Sequence, residues 1–283
     1  MVTDKQPGEC PPRRNEAYPL GAYRAQIRST WFCRSVNLRY VDNGRVVSVN
    51  TGRIAEAEWA GEFGCTAIDK RPVAGPVRVG RLGLDGDEQA DKANHGGPEQ
   101  AIYVYAREDL DWWAGELGRD MRNGAFGENV VTSGLDVSGA LIGERWRIGT
   151  AVVQITSCRI PCGTFRQWTA EKGWVKRFAA AGRPGAYVRV LEEGTVTPSD
   201  AVTVLGRPAA GVTVAESMRA YYGDRELMRR LSAVPGRSAK WETIARGTEG
   251  QLAPGPGAAP ATGAGSARAG SAGAGPRTGR AAS

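Results

Sequence analysis

Between residues 45 and 206 the chain is a succession of short runs rich in Val, Ile, Leu and Tyr, punctuated by Gly, Pro, Asp and Ser. The runs are "RVVSVN" (45–50), "CTAIDKRPV" (65–73), "PVRVGRLGLDGD" (76–87), "QAIYVYA" (100–106), "ERWRIGTAVVQITS" (144–157) and "GAYVRVLEEGTVTPSDAVTVLG" (185–206). Runs this short, alternating or clustering branched residues between turn signals, read as strands. Their density predicts a barrel or sandwich, so the fold class is mainly β with some α. The 144–157 run alternates about Gly149-Thr150 and reads as a hairpin or long bent strand. One helix is well marked in this region: "REDLDWWAGELGR" (107–119) places Leu110, Trp113, Ala114 and Leu117 at helical spacing, with acidic residues early and Gly118 at its end.

The texture changes after Gly206. "TVAESMRAYYG" (213–223) opens with Thr213 and Glu216, a capping-box pair. "DRELMRRLSAV" (224–234) has Asp224 as its N-cap and Leu227, Met228 and Leu231 on one side. "GRSAKWETIARG" (236–247) is a third helical piece. Three short helices in so few residues form an appendage too small to stand alone, so it packs on the β-domain. The predicted organisation is an N-terminal extension (1–45), a β-barrel domain (46–207), a three-helix segment (211–247) and a Gly/Ala/Pro-rich tail (248–283). The tail and most of the extension lack apolar content and read as disordered.

Charge and cysteine usage exclude several classes. Of the net +7, the first 45 residues hold +4 (eight Lys/Arg against four Asp/Glu) and residues 248–283 hold +2, leaving +1 for the middle. A nucleic-acid-binding domain carries its charge on the folded face, so no nucleic-acid partner is expected. No apolar run approaches the roughly 18 residues of a membrane helix, and the N-terminus does not resemble a signal peptide. Five scattered cysteines make no disulfide framework, so a cytoplasmic protein is expected.

Two stretches carry candidate chemistry. "TSCRIPCGTF" (156–165) holds Cys158 and Cys162, with Arg159 between them. An arginine beside a cysteine at a strand exit favours the thiolate, the form that attacks or binds metal. Read alone, though, a free cysteine is most often a small buried hydrophobe. "NHGGPEQ" (94–100) contains the chain's one histidine, His95, ahead of Gly96 and Gly97. Such a turn lets backbone N–H groups approach an anion, and is equally an ordinary tight turn. "NGAFGENV" (123–130) has the same two readings. Cys158, Cys162 and His95 fall one short of a zinc set. A Cys-His hydrolase stays open. Neither a phosphate-binding P-loop nor a dinucleotide-binding glycine motif is present.

"GLDGDEQADKANHGGPEQAIYVYAREDLDWW" (83–113), "GAFGENVVTSGLD" (124–136) and "IGERWRIGTAVVQITSCRIPC" (142–162) resemble, in that order, the motifs of the MOSC domain. The chain is most similar to the stand-alone bacterial YiiM-like branch, which also carries a small three-helix C-terminal segment. The resemblance covers roughly residues 46–247. It implies a MOSC-type β-barrel, binding of the molybdenum cofactor (molybdopterin), and an oxidoreductase that reduces N-hydroxylated small molecules such as N-hydroxylaminopurines and amidoximes. It relates the chain to the mitochondrial amidoxime-reducing component and to the C-terminal domain of molybdenum cofactor sulfurases. It further implies that Cys162 is the catalytic metal thiolate. By the same resemblance His95, Gly96, Gly97, Phe126, Gly127, Glu128 and Asn129 line the cofactor cavity, with Arg159 beside it. Family members usually read Gln-Pro-Arg-x-Pro-Cys where this chain has Ser157-Cys158-Arg159, which adds a second thiol near Cys162. No flavin, haem or iron–sulfur motif is present, so electrons are expected from a separate donor protein of flavin or iron–sulfur type. The alternative reading is a non-catalytic carrier of the cofactor or of sulfur.

Overall fold

The computed structural model describes residues 43–91 and 95–250. Most of the extension and tail for which the sequence predicts disorder lies outside the described residues. In chain order the strands are β1 (Asn43–Thr51), β2 (Ala55–Glu56), β3 (Cys65–Thr66), β4 (Arg71–Pro72), β5 (Val77–Gly80), β6 (Gly83–Leu84), β7 (Ile102–Ala106), β8 (Val130–Ser133), β9 (Arg145–Ile148), β10 (Ala151–Cys158), β11 (Ala186–Glu192), β12 (Gly194–Val196) and β13 (Ala201–Gly206). The α-helices are α1 (Arg107–Leu117), α2 (Gly163–Thr169), α3 (Trp174–Ala181), α4 (Val214–Tyr221), α5 (Arg225–Ser232) and α6 (Lys240–Gly250).

Seven strands close a barrel in the order β13-β9-β10-β11-β7-β8-β1, with β1 pairing back onto β13. Asn43, Gly44 and Arg45 make that closing contact, opposite Thr203, Val202 and Ala201. The barrel therefore starts within the segment that the sequence reading left in the N-terminal extension. Closure leaves these seven strands with no open edge. All the pairings within the barrel are antiparallel except β7–β8. A parallel neighbour needs a crossover connection, and α1 supplies it. The consequence is visible in β7, whose five residues are all buried, as expected of a strand covered on both faces. By contrast β9 alternates, with Trp146 and Ile148 inward and two arginines outward. β9 and β10 form the expected hairpin about Gly149-Thr150.

α1 behaves as its spacing predicts. Leu110 and Trp113 are buried, and Gly118 ends the helix in the left-handed region, its N–H donating to the Ala114 carbonyl. Two helices, α2 and α3, occupy a stretch the sequence reading did not assign. Phe165, Trp174 and Phe178, all fully buried, anchor them against Trp113 and Phe126 in one aromatic cluster. Ring centroids there lie 4.7–6.0 Å apart, the range in which edge-to-face and offset pairs add to area burial. The i, i+4 pair Trp174/Phe178 is the periodic signal for α3, but at eight residues it is short for a pattern reading. The C-terminal helices form as predicted: Thr213 and Glu216 make a complete capping box, and Asp224 accepts from the Leu227 N–H. Leu227, Met228 and Leu231 are buried against the rest of the chain. Among the described residues no helix is long and apolar enough to cross a membrane.

Candidate functional site

The site is built where β10 ends. Cys158 closes the strand, Arg159-Ile160-Pro161 turn out of the barrel wall, and Cys162 caps α2. The Cys162 sulfur accepts the Phe165 N–H at 3.5 Å. The aromatic cluster that seats α2 thus also fixes this sulfur. Arg159 is 94% buried by its 6% exposure. Its Nη1 donates to the Tyr187 hydroxyl at 2.5 Å, and its guanidinium lies 4.7 Å from the Phe165 ring centroid and 5.4 Å from that of Tyr103. Among the described residues no carboxylate pairs with it, and its Nε has no hydrogen-bond partner. A buried guanidinium with a donor to spare, lining a pocket, is an anion site in waiting.

His95 comes from the opposite wall. Its Nδ1 lies 3.2 Å from Asp91 Oδ2, and the ring also hydrogen-bonds Cys162. Burial pushes the Cys162 thiol up, but the His95 hydrogen bond and the Arg159 charge outweigh it, and its pKa falls to about 6. Burial likewise pulls His95 down, yet its hydrogen bonds to Asp91 and Cys162 leave it above its usual value. The two shifts describe one thiolate–imidazolium pair, braced by Asp91. Cys158 is the opposite case. It is 2% exposed and bonded to Ser217 of α4, and burial pushes its pKa up to about 12. The second thiol of the motif therefore faces the helical appendage and plays no part in the thiolate pair.

These groups line one pocket whose empty space, open solvent at its mouth included, is about 690 Å³. Of the residues expected there, His95, Gly96, Gly127, Asn129, Arg159 and Cys162 line it. Gly96 suits its position because its φ of +80° lies in the left-handed region that favours glycine. Gly97 sits beside the pocket, opening the 3₁₀ turn Pro98–Gln100. Phe126 and Glu128 do not line it. Phe126 is fully buried in the aromatic cluster, and Glu128, also 0% exposed, turns back to accept the Gly124 and Phe126 N–H groups at 2.5 and 2.8 Å. Gly127, at φ +77°, separates these two inward side chains and leaves its backbone to the pocket. The sequence reading also missed Lys70, a buried cation paired with Asp87. Asp87 further accepts from Asn129 Nδ2 at 2.9 Å and from the Gly52 N–H at 2.9 Å. Its neighbour Asp85 pairs weakly with Arg78 on the surface. Among the described residues no group of three His, Cys, Asp or Glu side chains is placed to hold a metal ion.

The buried Glu128 makes a pH prediction. Burial, opposed by the backbone hydrogen bonds, raises its pKa from 4.5 to about 7. Between those values the folded state holds a proton that the unfolded chain has released, so stability falls as pH rises through the window. A shift of this size is on the order of 3 kcal/mol. In thermal melts of metal-free protein, wild type loses more stability than Glu128→Gln between pH 4.5 and pH 7.5. Equal slopes would assign the pH dependence to other groups.

Residues 91–203 match the MOSC domain. The protein YiiM of Escherichia coli is 33% identical over 201 residues, 69% of this chain and 88% of YiiM. A protein of Gibberella moniliformis named a reductase is 32% identical over 169 residues, 58% of this chain but only 30% of that protein. The crystal structure of YiiM from Geobacillus stearothermophilus superposes with a TM-score of 0.60 at 30% identity, covering 72% of this chain and 99% of that one. The chain belongs to the MOSC family, with YiiM proteins among its relatives.

Proposed function

We propose that the pocket binds the molybdenum cofactor and that the protein is a reductase of N-hydroxylated small molecules. The observation that carries the reading is the Cys162 thiolate beside a buried Arg159 that has no carboxylate partner among the described residues and whose Nε is without a hydrogen bond. Soft sulfur suits molybdenum, and a guanidinium with its Nε still free to donate suits an anionic pterin phosphate. When bound, the cofactor supplies a centre that exchanges two electrons and has affinity for oxygen. Cys162 would hold its metal, and Arg159 and Lys70 would hold its anionic groups. The Asn129–Asp87–Lys70 hydrogen bonds orient the Lys70 ammonium. His95, charged against Asp91, keeps Cys162 ionised and holds a proton inside the pocket. Reduction of an N–OH group to N–H consumes two electrons and two protons and releases water. The electrons come from a separate donor protein, and the His95 imidazolium, which lines the pocket, is the group that would supply a proton to the departing oxygen. Likeness to YiiM and to a reductase supports the oxidoreductase class.

The test is turnover of an N-hydroxylated purine base by molybdenum-loaded protein with an artificial electron donor. Reduction that depends on molybdenum supports the proposal. Full molybdenum occupancy without turnover of any N-hydroxylated substrate would favour the carrier reading instead.

A further inference from the structure

The pocket loop and the C-terminal helical segment are joined by a dense set of hydrogen bonds centred on Glu99. Its Oε2 accepts from the Ser238 hydroxyl and from the Ala239 N–H, both at 2.7 Å. Its Oε1 accepts from Arg189 Nη2 at 3.1 Å, and the same nitrogen reaches the Gly236 and Arg237 carbonyls, each at 3.1 Å. The Glu99 carbonyl accepts from Thr156 Oγ1 at 2.6 Å, while the Ser238 N–H donates to the Thr156 carbonyl at 3.0 Å. One residue further on, Lys240 at the start of α6 donates through Nζ to Gln100 Oε1 at 2.8 Å. Gln100 lines the pocket and is 9% exposed.

The geometry matters because of what this loop carries. His95 and Gly96 stand three to four residues before Glu99, and both line the pocket. Gly96 and Gly97 both have positive φ, so the loop has little stiffness of its own. Upstream it is bonded by the His95 N–H to the Asp91 carbonyl, and downstream by the Ala101 N–H to Val188 of the barrel. Between those points the partners are Thr156 and Arg189 of the barrel wall together with Ser238, Ala239 and Lys240 of the C-terminal segment. Burial of Leu227, Leu231 and Trp241 keeps the segment on the barrel, and the Glu99 carboxylate transmits that docking to the loop.

We infer that Glu99 is a positioning residue, through which the three-helix segment holds the His95–Gln100 wall of the pocket in place. The segment is then part of the site and more than an appendage on the barrel. The inference goes beyond the cofactor reading and holds whatever the pocket binds.

The test uses the full metal-free chain and amide hydrogen exchange, comparing wild type, Glu99→Ala, Glu99→Gln and Lys240→Met. Hydrogen bonds to a charged acceptor contribute enough that losing them accelerates local opening roughly tenfold or more. Exchange in residues 95–100 is expected to rise by that factor in Glu99→Ala, with β9 and β10 unchanged. Glu99→Gln keeps the side chain's shape and an acceptor oxygen, and is expected to recover part of the protection. Lys240→Met gives a smaller rise confined to the same loop. Faster exchange at 234–240 with residues 95–100 unchanged would show that Glu99 only anchors the segment, and overturns the inference. Faster exchange throughout the barrel would reduce it to general destabilisation, and unchanged exchange everywhere would remove it.

Discussion

If the pocket holds the molybdenum cofactor as proposed, Cys162→Ser is expected to purify with its molybdenum reduced to about a tenth of wild type or less, while Cys158→Ser keeps nearly all of it. A serine hydroxyl is a hard, protonated group near neutral pH, whereas the Cys162 sulfur is an anion held by His95, Arg159 and the Phe165 N–H. Cys158 sits 2% exposed against Ser217, with its pKa pushed up to about 12, and offers the pocket nothing. The same contrast is measurable without metal. In metal-free protein, iodoacetamide modifies Cys162 with a rate that rises through pH 6 and levels near neutrality, since the thiolate is the reacting form. Cys158 stays unmodified until the protein unfolds. Mass spectrometry of the alkylated peptides reads both. A Cys158 variant that loses molybdenum, paired with a Cys162 variant that keeps it, reverses the assignment.

Phe126→Ala destabilises the protein by about 3–5 kcal/mol, as expected for a large ring removed from a packed core. That is a large part of the stability of an ordinary domain. Phe126 is 0% exposed and touches the rings of Tyr105, Trp113, Phe165, Trp174 and Phe178. Phe126→Leu refills part of the space and costs less. Urea unfolding of the metal-free proteins gives both values. The measurement also decides between two roles for this residue. Unchanged stability with lost cofactor would return Phe126 to the pocket wall, where the resemblance put it.

Phe126 shows why the "GAFGENV" motif was only half legible. Its residue types mark a special turn, but not which side chains face the ligand. The positive φ of Gly127 sends Phe126 into the core and leaves Glu128 to bond its own turn. Only Gly127 and Asn129 are left for the pocket. In this chain the motif serves the fold as much as the pocket, and a linear reading cannot separate the two.

Local rules determined a good deal by themselves. Alternation in "ERWRIGTAVVQITS" and the closing turn specified the β9–β10 hairpin, because side chains two apart must share a face. Helical spacing placed α1, and the Thr213/Glu216 pair marked the start of α4 through hydrogen bonds that span only three residues. The residues alone left Cys162 as an ordinary buried thiol, and it was the resemblance that singled it out. The tertiary structure decided everything that depends on distant residues meeting. His95 and Cys162 are 67 positions apart, and their electrostatic pairing exists only because the barrel brings the two loops to one mouth. Lys70 with Asp87, and Glu99 with Ser238, are likewise invisible to any window of sequence. The reactivity of the thiol is a property of that assembly: burial alone raises its pKa, and only charges delivered by other elements bring it down to about 6.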